Sequence, residues 1–457
     1  MMKRNFILIM LAVLATKAVA GDFETAASAV ANMRVGWNLG NTLDSNSGDV
    51  NNMWIEAWSD RSPSAYETAW GQAVTKAELM KMMKEAGFNA IRVPVTWWPH
   101  MEATFSSVKW DNAKQGLTPW DIANDGIGTK IQEAWMKRVH EVVDYVISQG
   151  MYCILNVHHD TGDGSTSWLR ASANTYAQQK ERFEAVWKQI AEEFKDYDEH
   201  LLFEGYNEML DDYGSWCFAS FATPKNYDAS VAAGAYKAIN NSAQSFVDAV
   251  RSTGGNNVQR NLVVCTYGAC CGSGTWSSHL QDPLKEMKLP TDNAGNHIIF
   301  EVHSYIDVKN LSSAKSEVNQ VVRAVKENLA SKGAPVIFGE WGTSTNGGYD
   351  NYRSNMLAFA RYFVEQTKAN NMGTFYWMGL SDGSHRSVPE FNEPDLKDAI
   401  MKGYYGEGGY SGITLSNVNE PSVATGYYNL QGHRLPSPQP GLNIVRMKDG
   451  TVRKYVK

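Results

Sequence analysis

The chain has 457 residues, enough for one large α/β unit of ~250 residues or more with short appendages, or for two ordinary domains. Its 15 Trp, 21 Tyr and 16 Phe allow a sizeable core. The formal net charge of −7, with no basic block, argues against nucleic-acid binding, which needs clustered Lys and Arg to neutralise phosphates.

Lys3 and Arg4 precede an apolar stretch from Phe6 to Leu14, and Ala18-Val19-Ala20 supplies the small residues of a cleavage site. The segment 1–20 reads as a secretory signal peptide, with the mature chain starting at Gly21. A membrane anchor is the competing reading, disfavoured because the apolar core falls short of the ~20 residues a span needs. Five cysteines at irregular positions form no disulfide framework. Cys153 and Cys265 lie in apolar runs and read as buried small side chains. Cys217 is a candidate to pair with Cys270 or Cys271.

Eight short apolar runs read as buried strands: Arg34–Leu39, Ala90–Val95, Tyr152–Val157, Leu201–Tyr206, Leu262–Thr266, Ile298–His303, Pro335–Gly339 and Thr374–Met378. Between them the apolar residues recur with helical spacing, as in Trp135, Val139, Val142, Val143 and Val146 or in Ile239, Ala243, Phe246, Val247 and Val250. Gly87, Gly150 and Gly333 each stand just before a strand, the expected place of a helix C-cap. Strand–helix alternation predicts a parallel sheet with helices outside. Eight strands in ~360 residues fit a (β/α)8 barrel. A doubly wound open sheet is the alternative, weakened by the lack of a glycine-rich phosphate loop.

The long loops follow the strands: Asn41–Thr75 the first, Trp97–Lys130 the second, Asn207–Ala232 the fourth. In a barrel these loops build the active-site face. They carry Trp54, Trp58, Trp70, Trp97, Trp98, Trp110, Trp120 and Trp216, candidate platforms for sugar rings or, alternatively, packing for the loops themselves. After about Tyr404 glycine, serine and tyrosine dominate, and Tyr427–Lys457 reads as two or three short strands with a basic end, too small to fold alone. We read 21–404 as the catalytic domain and 405–457 as a linker and a short β-rich docking or sorting tail.

The strongest chemical signal lies at strand ends. Leu201-Leu202-Phe203-Glu204-Gly205-Tyr206-Asn207-Glu208 and Pro335-Val336-Ile337-Phe338-Gly339-Glu340 are apolar runs that end in glutamate. A charge there is costly unless it has a task or a partner. Glu208 and Glu340, on the fourth and seventh strands, would face each other across a barrel mouth, the arrangement glycoside hydrolysis needs. A carboxylate spacing of ~5–5.5 Å predicts retention and ~6.5–9.5 Å inversion. Arg92 is a cation inside an apolar strand and would keep a nucleophilic carboxylate ionised. Asn38 ends the first strand, His158 and His159 the third, His303 and Tyr305 the sixth, and Trp377 the eighth. Tyr305 is placed to donate to the nucleophile, and Trp377 to offer a platform. A zinc site built from the histidines is the chemical competitor, disfavoured because the first strand has no His-x-His pair.

Six motifs in order over some 300 residues carry a resemblance: Gly36-Trp37-Asn38-Leu39-Gly40-Asn41-Thr42-Leu43-Asp44, Ile91-Arg92-Val93-Pro94-Val95-Thr96-Trp97, Asn156-Val157-His158-His159, Tyr206-Asn207-Glu208, His303-Ser304-Tyr305 and Phe338-Gly339-Glu340-Trp341. From about Met33 to Gly403 the chain resembles glycoside hydrolase family 5, in its endoglucanase/xyloglucanase-type branch. The resemblance implies a (β/α)8 barrel and a retaining double displacement. It implies Glu208 as acid/base, Glu340 as nucleophile and Asn207 as the binder of the substrate 2-hydroxyl. Arg92 and Tyr305 would support Glu340, and His158, His159 and His303 would line the site, with His303 near the acid/base. Trp377 would stack at the subsite on the non-reducing side of the cut, and Asn38 would stand behind the site or touch substrate. No cofactor or metal is implied. The expected partner is a β-glucan polysaccharide acted on by a secreted monomer, with mannanase or xylanase activity, or a non-catalytic glycan-binding role, as alternatives. The sequence departs from the family pattern in an insert around Asn46–Arg61 and at Val388-Pro389-Glu390-Phe391, and both bear on substrate choice. Tyr428–Gly432 with Gly441–Val445 resembles the short β-rich tail of many secreted or surface proteins.

Overall fold

The computed structural model describes residues 23–102, 108, 110–113, 116–120, 127–216, 227–345 and 351–410, and in the C-terminal segment 424–429, 434–435, 437–439, 442–447 and 452–456. The signal-peptide segment and Cys217, with its expected disulfide, lie outside the described residues.

Eight parallel strands close into a barrel in sequence order. They are β1 (Gly36–Asn38), β2 (Ala90–Val93), β3 (Tyr152–Asn156), β4 (Leu201–Glu204), β5 (Leu262–Cys270), β6 (Ile298–Ile306), β7 (Val336–Thr343) and β8 (Gly373–Tyr376), with β1 pairing to both β8 and β2. Helix α1 (Ala26–Met33) precedes β1, and α2 (Ala77–Ala86), α3 (Glu133–Ile147), α4 (Tyr176–Glu193) and α5 (Ala229–Ser252) follow β1 to β4 in turn. A short helix at Asp282–Glu286 follows β5. Then come α6 (Leu311–Asn328), α7 (Arg353–Ala369) and α8 (Pro394–Tyr405). The closed barrel excludes the open-sheet alternative.

The helical periodicity read from sequence is the buried face. Trp135, Val139, Val142, Val143 and Val146 of α3 are all buried, as are Ile239, Ala243, Phe246, Val247 and Val250 of α5. On α2 the buried residues are Leu79, Met80 and Met83, with Met82 and Ala86 only partly covered. Gly87 caps α2 at φ 110°, a conformation closed to side chains with a Cβ.

Two apolar clusters sandwich the strands. The larger lies between barrel and helices. The smaller fills the barrel floor: Ala90, Ile154, Leu202, Val263, Ile299, Ile337 and Phe375, closed from below by Ala26, Ala29, Val30 and Met33 of α1. Side chains on one face of a strand recur every second residue. The residues two further along from that floor are Arg92, Asn156, Glu204, Cys265, Glu301 and Gly339. An apolar floor is thus roofed by a polar layer, and the cleft opens above it. Arg92, Glu204 and Glu301 come from β2, β4 and β6, the alternate strands that share a layer in such barrels.

A register shift between Val302 and His303 places Gly339 as an extra residue on β7, so that Val302 pairs with Phe338 and His303 with Glu340. Such a bulge re-aims the next side chain, here Glu340. The C-terminal segment forms a separate antiparallel sheet of four strands, β9 (Ala424–Tyr428), β10 (Arg434–Leu435), β11 (Leu442–Met447) and β12 (Val452–Val456), in the order β10-β9-β11-β12. That is more than the two or three expected. The basic stretch at the end pairs with β11 from Val456 against Leu442 to Val452 against Arg446.

Candidate active site

Arg92 organises the polar layer. Its Nε and Nη2 donate to the two oxygens of Glu204 at 2.6 and 2.8 Å. Nη1 donates to Glu340 Oε1 at 2.8 Å and to Asn38 Oδ1 at 3.0 Å. Nη2 also donates to Asn207 Oδ1 at 2.7 Å. Glu301 Oε1 lies 3.3 Å from Nε. The guanidinium is fully buried, which by itself disfavours its charge. Its carboxylate neighbours, Glu204 first, reverse this and raise it well above its usual value. A flat fork of five donors suits this multiple grip, and a lysine would not reproduce it.

The two candidate carboxylates hang from this frame. Glu340 receives Arg92 on Oε1 and the Tyr305 hydroxyl on Oε2 at 2.6 Å. Both are charge-assisted hydrogen bonds of the short, strong kind. Glu208 Oε1 lies 2.8 Å from His303 Nδ1, and its side chain is a fifth exposed. His303 Nδ1 is also 3.5 Å from Glu340 Oε2. Glu208, His303 and Glu340 bring one polar atom each within 4.8 Å of one another. Burial alone would lower His303, but the charge of Glu340 and its contacts with Glu208 and Glu301 outweigh burial and raise the imidazole to about 10.

The opposite wall carries uncharged histidines. His158 takes Asn156 Nδ2 on Nδ1 at 2.9 Å and turns Nε2 toward Glu340 Oε1 at 3.8 Å. Burial first, then the neighbouring charges of His159, Arg92 and His303, hold it well below the usual histidine value. The Trp377 ring stacks on His158 at 5.7 Å and 7°. Beside them His159 sits 3.8 Å from Asp44 Oδ2 and against Trp70. Burial raises Asp44 to about 6, despite backbone donors from Thr42 and Asn41.

The described residues can be tested as a metal cradle at this wall. Asp44, His158 and His159 bring ligand atoms within 4.8 Å, but Nδ1 of His158 is engaged by Asn156. Both nitrogens of His303 are committed to carboxylates, Nδ1 to Glu208 and Nε2 to Glu301 at 3.3 Å. The His303 cluster is thus held together by its own hydrogen bonds and ion pairs.

The loop tryptophans divide. Trp97, Trp98 and Trp120 are buried, with Trp98 and Trp120 stacked on each other, so they pack the loop and are no platforms. Trp97 Nε1 donates to Asn156 O at 2.9 Å. Asp160 accepts the backbone N–H groups of Trp97 and Trp98 and Nε1 of Trp168, tying the two loops together. Trp54 and Trp70 are half-buried, whereas Trp58 and Trp216 are exposed to 68% and 40%. Trp276, 63% exposed beyond β5, escaped the sequence reading because it stands alone in a short loop. The Trp110 side chain lies outside the described residues.

The profile described as Cellulase (glycosyl hydrolase family 5) matches residues 51–382. The chain belongs to glycoside hydrolase family 5. Endoglucanase B of Neocallimastix patriciarum is 30% identical over 419 residues, 87% of this chain and 76% of that protein. Among solved structures, a GH5-4 broad specificity endoglucanase from an uncultured bacterium is 49% identical with a TM-score of 0.75, covering 85% of this chain and 98% of that one. A family 5 enzyme from Prevotella bryantii, crystallised with a xyloglucan tetradecasaccharide, is 36% identical with a TM-score of 0.68, covering 84% and 99%.

In this family 5 hydrolase the fold brings all ten sequence-selected residues to one end of the barrel. Asn38 stands behind Glu340 and donates to the carbonyls of Gly339, Phe375 and Tyr376. Sequence reasoning missed Glu204, Glu301, Asn156, Asp44 and Asp160. The available signal was a glutamate two residues beyond a buried apolar residue on the same face of a strand, as in Leu202/Glu204 and Ile299/Glu301.

Proposed function

We propose that the protein is a secreted endo-β-1,4-glucanase that cuts β-glucan backbones with retention, using Glu340 as nucleophile and Glu208 as acid/base. The observation that carries the reading is the closeness of the two carboxyl groups: one oxygen of each lies within 4.8 Å of the other, nearer than the ~6.5–9.5 Å that leaves room for an inverting enzyme's water, which favours retention. Glu340 would attack the anomeric carbon as Glu208 passes its proton to the departing glycosidic oxygen. The same Glu208 would then take a proton from water as that water breaks the glycosyl ester. Asn207, held by Arg92, would bind the 2-hydroxyl. Trp377 would carry a glucosyl ring on the non-reducing side.

The substrate class rests on the relatives, which are named endoglucanases, and on the broad specificity printed for the structural neighbour. Secretion rests on the Lys3-Arg4, Phe6–Leu14 and Ala18-Val19-Ala20 pattern. No described helix is long and apolar enough to cross a membrane. Because one chain supplies both carboxylates and their supports, we take the working unit to be a monomer. Residues 21–404 are its catalytic domain and 405–457 a linker and tail.

The test is reducing-sugar release by Gly21–Lys457 from mixed-linkage glucan, carboxymethylcellulose, xyloglucan, xylan and mannan. Glu208→Gln and Glu340→Gln are run alongside, and the first-formed anomer is read by proton NMR. Release of β-anomer from a glucan that is lost in both variants is expected. Normal rates in either variant, or inverted product, would sink the assignment. Tight binding with no release would make the protein a glycan-binding scaffold.

A further inference from the structure

The contact between His303 and Glu208 continues one step deeper, to Glu301. His303 Nε2 lies 3.3 Å from Glu301 Oε1, so the imidazole is clasped between two carboxyl groups, one in the cleft and one fully buried in the barrel. Among the described residues Glu301 Oε2 has no N–H or O–H donor, the weak thiol donor of Cys265 lying beside the carboxyl. A buried carboxyl oxygen left unpaired is costly, and a buried carboxylate needs a cation. Arg92 is the nearest one, at 3.3 Å, but it is already shared by Glu204 and Glu340. One guanidinium thus faces three carboxyl groups, and among the described residues of this layer His303 is the side chain placed to supply a second positive charge.

The other groups around this pair do not supply it. From β3, His158 is held neutral by burial and by the positive charges beside it. From β4, Glu204 adds negative charge. Burial, with Glu301 nearby, raises it to about 7 against the opposing pull of Arg92. From β5, Cys265 sits beside Glu204 and Glu301, and burial keeps its thiol protonated. Cys270 pairs with His303 in the backbone register. Within β6, Tyr305 spends its proton on Glu340, the β7 carboxylate. The room for the Glu301 carboxyl is also specific, because it occupies the space where a side chain at Gly339 would be.

We propose that Glu301 is a positioning residue: it holds His303 as an imidazolium against Glu208 and thereby tunes the carboxyl that donates the proton. A cation beside a carboxyl favours its ionised form. His303 therefore makes Glu208 a readier donor and stabilises the carboxylate left after transfer. The consequence for rate rests on the reading of Glu208 as acid/base given above. The charge state of His303 does not.

The experiment measures both in the full chain. Histidine imidazoles are followed by nitrogen NMR from pH 5 to 10, with His303 assigned by its loss in His303→Asn. The kcat/KM profile on an aryl cellobioside is recorded for wild type, Glu301→Gln and Glu301→Asp. In wild type His303 should remain an imidazolium beyond pH 8. In Glu301→Gln it should titrate clearly below the wild-type value, though still raised by Glu340 and Glu208, and the basic limb should move up. Glu301→Asp, which keeps the charge, should lie between the two. A neutral His303 at pH 7 in wild type overturns the proposal, even where neither variant folds. So does a basic limb that stays or moves down in Glu301→Gln with His303 still charged. Full activity in Glu208→Gln would instead overturn the catalytic assignment and leave the NMR result to decide the role of Glu301.

Discussion

Gly339 and Glu301 occupy one volume: a Cβ on Gly339 would lie 1.4 Å from Glu301 Oε1 and 2.3 Å from its Cδ. Glu301 could make room only by withdrawing from Arg92 and His303. Gly339→Ala is therefore expected to lose about 3 kcal/mol of stability, the scale of breaking a buried ion pair, together with most of its activity. Urea unfolding measures the first. Combining it with Glu301→Ala should recover more than about 1 kcal/mol relative to the sum of the single changes, since contacting residues are not additive. Additive losses would show that the two do not compete for space.

Arg92→Lys retains the charge and loses the fork. Five hydrogen bonds, to Glu204 twice, Glu340, Asn38 and Asn207, converge on the guanidinium, and an ammonium offers three donors on a flexible stem. The expected outcome is a loss of about 2–4 kcal/mol and a fall in kcat of about 100-fold or more. A variant that melts like wild type with near-normal kcat would mean that charge alone suffices in this layer.

Much of this arrangement was legible in the sequence, for a physical reason. The barrel could be read because helix and strand periods differ, and because Trp135 to Val146 or Ile239 to Val250 leave no other face to bury. Glu208 and Glu340 could be read because each ends an apolar run. Glu204 and Glu301 were not read because a glutamate inside a strand is interpretable only through its partner. Arg92 reaches both solely because closure seats β2, β4 and β6 around one layer. The bulge at Gly339 was likewise hidden, since register is set by neighbouring strands. Trp97, Trp98 and Trp120, open in the sequence to either a platform or a packing role, take the packing one. They follow a strand end, where platforms are expected, but the loop is long enough to build a small core of its own. The fourth strand of the tail escaped because Arg453 and Lys454 made Val452–Val456 look like a charged end.

Tyr305→Phe removes a single proton from the nucleophile's surroundings. The hydroxyl donates to Glu340 Oε2 at 2.6 Å, and a hydrogen bond to a charged group contributes about 1.5–3 kcal/mol. Loss of kcat by roughly 10–100-fold follows if the bond is retained up to the attack. A kcat that stays near wild type in Tyr305→Phe would show that this hydrogen bond does not bear on the attack.

Alkaline pH should loosen the protein through His303. Its imidazole is raised to about 10 in the folded chain, where burial is outweighed by Glu340, Glu208 and Glu301, against about 6.5 when unfolded. Between those values the folded state binds the extra proton. The contribution is therefore complete below pH 6.5, declines above it and is lost as pH passes 10. Glu204, raised by burial to about 7, acts in the same sense over a lower window, its contribution fading from about pH 4.5 to 7. His159 acts in the opposite sense. Burial lowers it to about 4, so what it adds is present above pH 6.5 and lost on acidification through 4. The window from pH 7.5 to 10 isolates His303 from both. Across it the urea midpoint of wild type should fall more steeply than that of His303→Asn, with Glu301→Gln between them. Parallel curves for all three proteins would mean that His303 is not a cation in the folded state at neutral pH.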